Sequence, residues 1–276
     1  MLSEIGIRHG LWADAAPAVA LARGGENSTF AVADYVVRFN EDHDSAAREA
    51  ALLLALAAAT TIAIPRPVVH DARRGLLVYR RVPGEPLLHR RQRRAAGTIA
   101  ALTQVLGALR ALPVAQHLPL DDYSNEDWHQ DAVEHFRAAQ PRLEPERAAV
   151  VASFLNDQRP PTRNEVLPQH NDLGAEHILV DPAGTVTGII DWTDAARSDP
   201  ARDLGLLYRD LGREVAFGVA RRLDRSLTDE EQARIRFHAR CKWLEDFRYA
   251  GDDPEARAPY LVNCLRTFNH TFRTAS

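Results

Sequence analysis

Gln169-His-Asn-Asp172-Leu-Gly-Ala-Glu-His177-Ile-Leu-Val180, and after a turn Val186-Thr-Gly-Ile-Ile-Asp191-Trp192, is the stretch that decides the fold. Its apolar runs are short. Ile178 to Asp181 and Val186 to Asp191 read as two strands of a hairpin, with Asp181-Pro-Ala-Gly184 as the turn. Around that hairpin sit three groups able to do chemistry. His177 follows Asp172 by five positions and Asp191 follows it by nineteen. Asp191 comes directly after Gly188-Ile-Ile190, so a rigid strand end carries its carboxylate. This spacing brings Asp172, His177 and Asp191 to one pocket. A carboxylate and an imidazole nitrogen both bind divalent cations, although Mg²⁺ prefers oxygen. The remaining carboxylate is then free to accept a proton.

Upstream, the chain alternates strand-like runs with one helix. Ala18 to Leu21, Phe30 to Val32 and Tyr35 to Phe39 read as strands. Ser45 to Ala59 is rich in Ala and Leu and free of Gly and Pro, so it reads as a helix. Val68-Val69 and Leu76 to Tyr79 are further strands, and Val82-Pro-Gly-Glu-Pro86 breaks the pattern. Within this part, Gly24-Gly25 is a turn whose backbone N–H groups could also approach a phosphate. Arg38 is a strand cation, and Glu49 on the helix could clamp it in a bidentate pair. A backbone loop, a clamped cation, a metal site and a carboxylate base are the parts that phosphoryl transfer from a nucleotide requires.

Downstream the reading is mostly helical: 91–112, 127–139, 146–156, 200–211, 213–222, 229–249 and 255–272. Thr228-Asp-Glu-Glu231 is a capping box. Two acidic clusters stand out, Asp121 to Asp127 and Glu245 to Glu255. Each is open to two readings, a solvated face or a rim that meets a cation.

Composition bounds the class. The chain has 276 residues, long enough for one large or two ordinary domains. Lys and Arg total 34 against 38 Asp and Glu, a net charge of −4, which speaks against nucleic acid as a partner. Cys241 and Cys264 sit in helical stretches without metal or disulfide spacing, so reduced thiols in a cytoplasmic protein are expected. No apolar leader opens the sequence, and Ala46 to Ala59 is too short and too charged to span a membrane.

These residues resemble the aminoglycoside phosphotransferase family of the protein-kinase-like fold, nearest its 2''-aminoglycoside and macrolide branch. Gly24-Gly-Glu-Asn-Ser-Thr-Phe30 resembles the nucleotide-covering loop and Tyr35 to Phe39 the phosphate-binding strand. Leu77 to Gly84 resembles the hinge, and His170 to Leu179 the catalytic loop. Ile189 to Trp192 resembles the metal-binding aspartate segment, and Asp199-Pro-Ala-Arg-Asp203 the segment that braces the loop. The resemblance implies an α+β bilobal fold: a small antiparallel sheet with one helix over 1–84, and a larger helical lobe over 85–276.

It implies an enzyme too, a Mg²⁺-dependent kinase that moves the terminal phosphate of ATP or GTP to a hydroxyl of a small, cationic molecule. An aminoglycoside is the expected acceptor. A macrolide, choline or homoserine kinase, or a binding protein without turnover, stands as the alternative. Asp172 is the implied base, and His177, where the family often carries Asn, joins Asp191 as a metal ligand. Gly24, Gly25, Ser28, Arg38, Glu49, Tyr79, Arg80 and Val82 are the implied nucleotide contacts. Tyr79 is bulky enough to narrow the purine pocket. Late helices wall the acceptor site in the family, which nominates Trp243, Glu245 and Asp246 beside Asp172. Trp243 also reads as core.

Overall fold

The computed structural model describes residues 2–13, 16–23, 27–90, 95–162, 165–224 and 227–273. Helix α1 (Leu2–His9) leads into strands β1 (Ala18–Arg23), β2 (Asn27–Val32) and β3 (Tyr35–Asn40), then helix α2 (His43–Ala59), β4 (Pro67–Asp71) and β5 (Leu76–Arg80). All five strands pair antiparallel in the order β1-β2-β3-β5-β4. Helix α2 starts where the Asp42 carboxylate caps the free N–H groups of Asp44 and Ser45. Its buried side runs through Ala46, Ala50, Leu53 and Leu56, one stripe at helical spacing, and Glu49 falls within that stripe. The expected single helix is joined by α1. Ile5 and Trp12 bury against Tyr35, Val37 and Val78, which draws the N-terminal segment onto the sheet.

A short strand, β6 (Glu85–Pro86), leads from the sheet into the helical part. There α3 (Ala95–Ala111), α4 (Asn125–Ala139) and α5 (Pro145–Asn156) come first. Next are β7 (Leu167–Gln169), β8 (Ile178–Val180), β9 (Val186–Ile189) and β10 (Ala196–Ser198), then α6 (Ala201–Asp224), α7 (Asp229–Asp252) and α8 (Ala258–Phe272). The expected hairpin is β8–β9, with β6 added on its other edge, and β7 pairs with β10. The expected break between two helices falls at Gly212, whose φ of 80° bends α6. The capping box forms as read, with the Thr228 hydroxyl and Glu231 carboxylate each taking the other's backbone N–H.

One continuous core joins the two parts. Leu52, Leu53 and Leu56 of α2 pack in the same cluster as Leu102, Val180, Ile189, Trp192 and Phe217. The link is backbone as well: Ala63 N donates to Thr187 O, and Ile189 N donates to Ala63 O. Gly188 makes that approach possible, because a Cβ there would lie 2.3 Å from Val82 Cγ1 and 2.9 Å from Ala63 O. Cys241 and Cys264 are free and buried in the cluster formed by α4, α5, α7 and α8.

Candidate active site

The loop between β7 and β8 is held by buried side chains at its first turn. Asp203 of α6 accepts the backbone N–H groups of His170 and Asn171, each at 2.8 Å. Burial pushes the Asp203 carboxyl up to about 6, against the pull of those two amides. His170 is fully buried and directs Nε2 at the Ile190 carbonyl, 3.0 Å away. A carbonyl only accepts, so Nε2 carries the proton and Nδ1 is left to accept the Asp172 N–H at 3.3 Å. His170 thus ties the loop to the hairpin and is not exposed to a reactant. Asn171 and Asp191 both take left-handed backbone conformations, φ 69° and 61°. Such strain in a non-glycine residue persists where its surroundings impose it.

Arg38 joins the sheet to this loop. Its Nη1 lies 3.0 Å from Glu49 Oε1 and its Nη2 3.1 Å from Asp191 Oδ1, and it also donates to the Thr193 hydroxyl. The planar fork lets one guanidinium serve α2 and the hairpin end together. Burial raises the Glu49 carboxyl to about 7, against the attraction of Arg38. Burial also works to raise Asp191, yet Arg38, His177 and His170 hold it below the ordinary aspartate value.

His177 is set up as a ligand by its tautomer. Nδ1 lies 2.7 Å from the Asp172 backbone carbonyl, so it bears the hydrogen. In the neutral ring the lone pair is then on Nε2, which faces Asp191 Oδ2 across 3.7 Å. That separation is too long for a hydrogen bond. Burial favours that neutral form, but Asp172, Glu176 and Asp191 outweigh it and raise the imidazole, so a cation at Nε2 takes the place of a proton. A nitrogen lone pair and a carboxylate oxygen facing each other over such a gap fit a shared cation, and a carbonyl holding the far nitrogen is the usual support. Glu176 is a further oxygen donor here: Asp172, Glu176 and His177 offer ligand atoms within 4.8 Å of one another.

Two cavities meet at these residues. One, of about 510 Å³, is lined by Thr29, Val36, Arg38, Tyr79 and Val82. The other, of about 770 Å³, is lined by Asp172, Trp128, Lys242, Glu245 and Asp246. Glu176, His177, Asp191 and Tyr260 line both. The second cavity is acidic, with eight carboxylates on its wall against three Arg and Lys.

Some expected contacts fall elsewhere. Arg80 is exposed and lies over the Tyr35 ring, 5.5 Å from its centroid, while Arg81 lines the first cavity. Strand alternation explains it: Tyr79 faces the cavity, so the next side chain faces away. For the same reason Thr29 lines that cavity and Ser28 does not. Gly24 and Gly25 lie outside the described residues. Trp243 is fully buried, stacked on Phe247 with centroids 4.9 Å apart, and donates Nε1 to the Cys264 carbonyl. It is core and lines neither cavity. Of the earlier acidic cluster, Asp121 pairs with Arg202 and accepts from Asn171 Nδ2 at 2.9 Å. Asp127 caps α4 through Ser124. Thr193, Glu176, Lys242 and Tyr260 were not singled out by the sequence. Only Glu176 carried a signal, its place beside His177.

The sequence profile of the phosphotransferase enzyme family matches residues 18–238. The chain belongs to the phosphotransferase enzyme family.

Its fold is accordingly bilobal and protein-kinase-like, and solved phosphotransferases share it. Aminoglycoside 2'-phosphotransferase-IIIa in its GDP complex superposes with a TM-score of 0.62 at 21% identity, over 93% of each chain. The GDP and kanamycin complex of APH(2")-IIia gives 0.60 at 21% identity over 92% of each. Macrolide 2'-phosphotransferase MphH from Brachybacterium faecium gives 0.59 at 20% identity, over 100% of this chain and 98% of that one. A 42-residue segment is 50% identical to the uncharacterized protein YcbJ of Bacillus subtilis (strain 168), covering 15% of this phosphotransferase and 13% of YcbJ. Among the described residues no helix is long and apolar enough to cross a membrane.

Proposed function

We propose that this phosphotransferase moves the terminal phosphoryl group of ATP or GTP onto a hydroxyl of a cationic small molecule, with an aminoglycoside as the favoured acceptor class. The meeting of the two cavities at His177 and Asp191, with Asp172 on the wall of the acidic one, carries this reading. In it, the nucleotide fills the cavity under the sheet and the acceptor fills the acidic one. The relatives support both halves, one having been solved with GDP and kanamycin together. We divide the chain after Gly84, with 1–84 as the nucleotide lobe and 85–276 as the catalytic and acceptor lobe.

Asp172 orients the acceptor hydroxyl and takes its proton as the oxygen attacks phosphorus. The bond from phosphorus to the bridging nucleotide oxygen breaks, and the nucleoside diphosphate leaves. Arg38, braced by Glu49, meets phosphate charge. His177 through Nε2 and Asp191 are the residues that would hold Mg²⁺. When bound, the ion neutralises charge across the phosphates. Tyr79, buried on the cavity wall, limits the room for the purine. ATP and GTP in competition measure that limit, and equal use of both would remove Tyr79 from purine selection.

A macrolide is the second reading. The acceptor cavity is lined by two aromatic pairs, Tyr123–Trp128 at 5.6 Å and Tyr249–Tyr260 at 5.2 Å between centroids. Such faces suit an acceptor with a large apolar surface and few amines.

The test is product mass across aminoglycosides, macrolides and amino alcohols, with wild type and Asp172→Ala. Wild type is expected to give a mono-phosphorylated product with one class. Asp172→Ala is expected to bind nucleotide and give none. Surviving turnover would remove Asp172 as the base. Acceptor binding with no turnover in wild type would make the protein a ligand sensor instead.

A further inference from the structure

Three carboxylates of the acceptor cavity already have cations of this chain beside them. Asp246 Oδ2 lies 2.8 Å from Arg209 Nη1, and Glu176 Oε2 lies 3.5 Å from Arg209 Nη2. Glu245 Oε2 lies 2.9 Å from Lys242 Nζ. The two cations differ in kind. Arg209 is 1% exposed and is tied to Asp210 by two hydrogen bonds of 2.8 Å, so it belongs to the frame. The Lys242 side chain is 18% exposed, and its partner Glu245 stands three residues on along the same helix with its side chain 42% exposed. The Lys242 ammonium also lies 5.1 Å from the centroid of the Trp128 ring. A carboxylate beside an aromatic face is a good site for an amine. Here a tethered amine of the protein sits in it.

We propose that Lys242 is a specificity-determining residue whose ammonium fills the cation site formed by Glu245 and Trp128, so that acceptors with several amines bind more weakly than they would without that charge, and single-amine acceptors are affected less. The proposal rests on the reading of the cavity as a site for a cationic acceptor. Two features sustain it. Burial pulls the Lys242 amine down, but Glu245 and Asp172 outweigh burial and hold it above the ordinary lysine value, so it stays charged. Like charges in a partly desolvated cavity repel more strongly than in water. An amine of the acceptor must then displace Lys242 or leave that site unused.

The experiment compares wild type, Lys242→Gln, Lys242→Arg and the double variant Lys242→Gln/Glu245→Gln at saturating nucleotide. Acceptors are single-amine amino sugars, single-amine macrolides and aminoglycosides with several amines, and KM and kcat are read for each. Circular dichroism melts confirm that each variant is folded. Lys242→Gln is expected to lower KM for several-amine acceptors about tenfold relative to single-amine ones, the effect of removing one nearby like charge. Lys242→Arg keeps the wild-type ratio, and the double variant loses the gain because Glu245 is no longer an anion. An unchanged ratio in Lys242→Gln, or a KM raised equally for all acceptors, overturns the proposal. If no acceptor is turned over by wild type or variant, the cationic-acceptor reading fails and the proposal falls with it.

Discussion

Asp210 Oδ2 accepts the backbone N–H of Ala175 at 2.7 Å. Asp210 and Asp203 belong to one helix, seven residues and so about two turns apart. Asp203 binds the start of the loop at His170 and Asn171, and Asp210 binds it again just before Glu176 and His177. Helix α6 therefore fixes the loop at two points. Asp210 is itself fixed by Arg209 and by Asn263 Nδ2, which donates to it at 2.8 Å.

Asp210→Asn is expected to lower kcat by about tenfold to a hundredfold, the scale of a small misplacement of reacting groups. The amide keeps an oxygen for Ala175 but no longer matches the charge of Arg209. Thermal unfolding is expected to show a loss of about 1–3 kcal/mol from the same network. If kcat holds while stability falls, the second brace is structural only.

Arg38→Lys keeps the charge and loses the fork. One ammonium cannot reach both Glu49 and Asp191 as the two nitrogens of Arg38 do. Nucleotide KM is expected to rise about tenfold, a cost near 1.4 kcal/mol, and Arg38→Ala is expected to do worse. Initial rates over a nucleotide series read this directly. Equal KM in the lysine variant would show that charge alone is needed at this position.

The site was legible where its parts are close in sequence. Asp172, His177 and Asp191 lie on one loop and hairpin, so spacing alone brings them together. Arg38 and Glu49 flank a single strand-to-helix turn, and Asp203 comes only twelve residues after Asp191. What stayed hidden depends on distant packing. Thr193 gains meaning only from the arginine that reaches it across the cleft, and Lys242 only from lining the same cavity as Asp172. Arg80 and Arg81 differ by one step of strand alternation, which composition cannot register. Trp243 and Glu245 share a helix two residues apart, and only the neighbouring helices determine which one is buried.

Trp243→Ala is expected to cost about 3–5 kcal/mol of stability, because it opens a cavity among Phe247, Phe268 and Phe272. Chemical denaturation measures it. Trp243→Phe, which keeps most of the ring volume, is expected to retain the wild-type KM for acceptor. A KM raised severalfold in the phenylalanine variant at unchanged stability would return Trp243 to the acceptor wall.

His238 is expected to make the fold sensitive to acid. It is 2% exposed, and neither ring nitrogen has a hydrogen-bond partner among the described residues. Burial, with Arg202, Arg234 and Lys242 nearby, pushes the imidazole from 6.5 down to about 3. Between those two values the unfolded chain binds a proton that the folded chain refuses. Stability from this group is thus complete above about pH 6.5 and is lost as pH falls toward about 3, at about 1.4 kcal/mol per pH unit. His238→Leu removes the titration. Its stability at neutral pH should match or exceed wild type, since a desolvated polar group is gone. Urea unfolding at pH 7 and pH 5 should then show wild type losing about 2 kcal/mol more than the variant. Parallel losses in the two proteins would mean that the folded chain accommodates a charged His238.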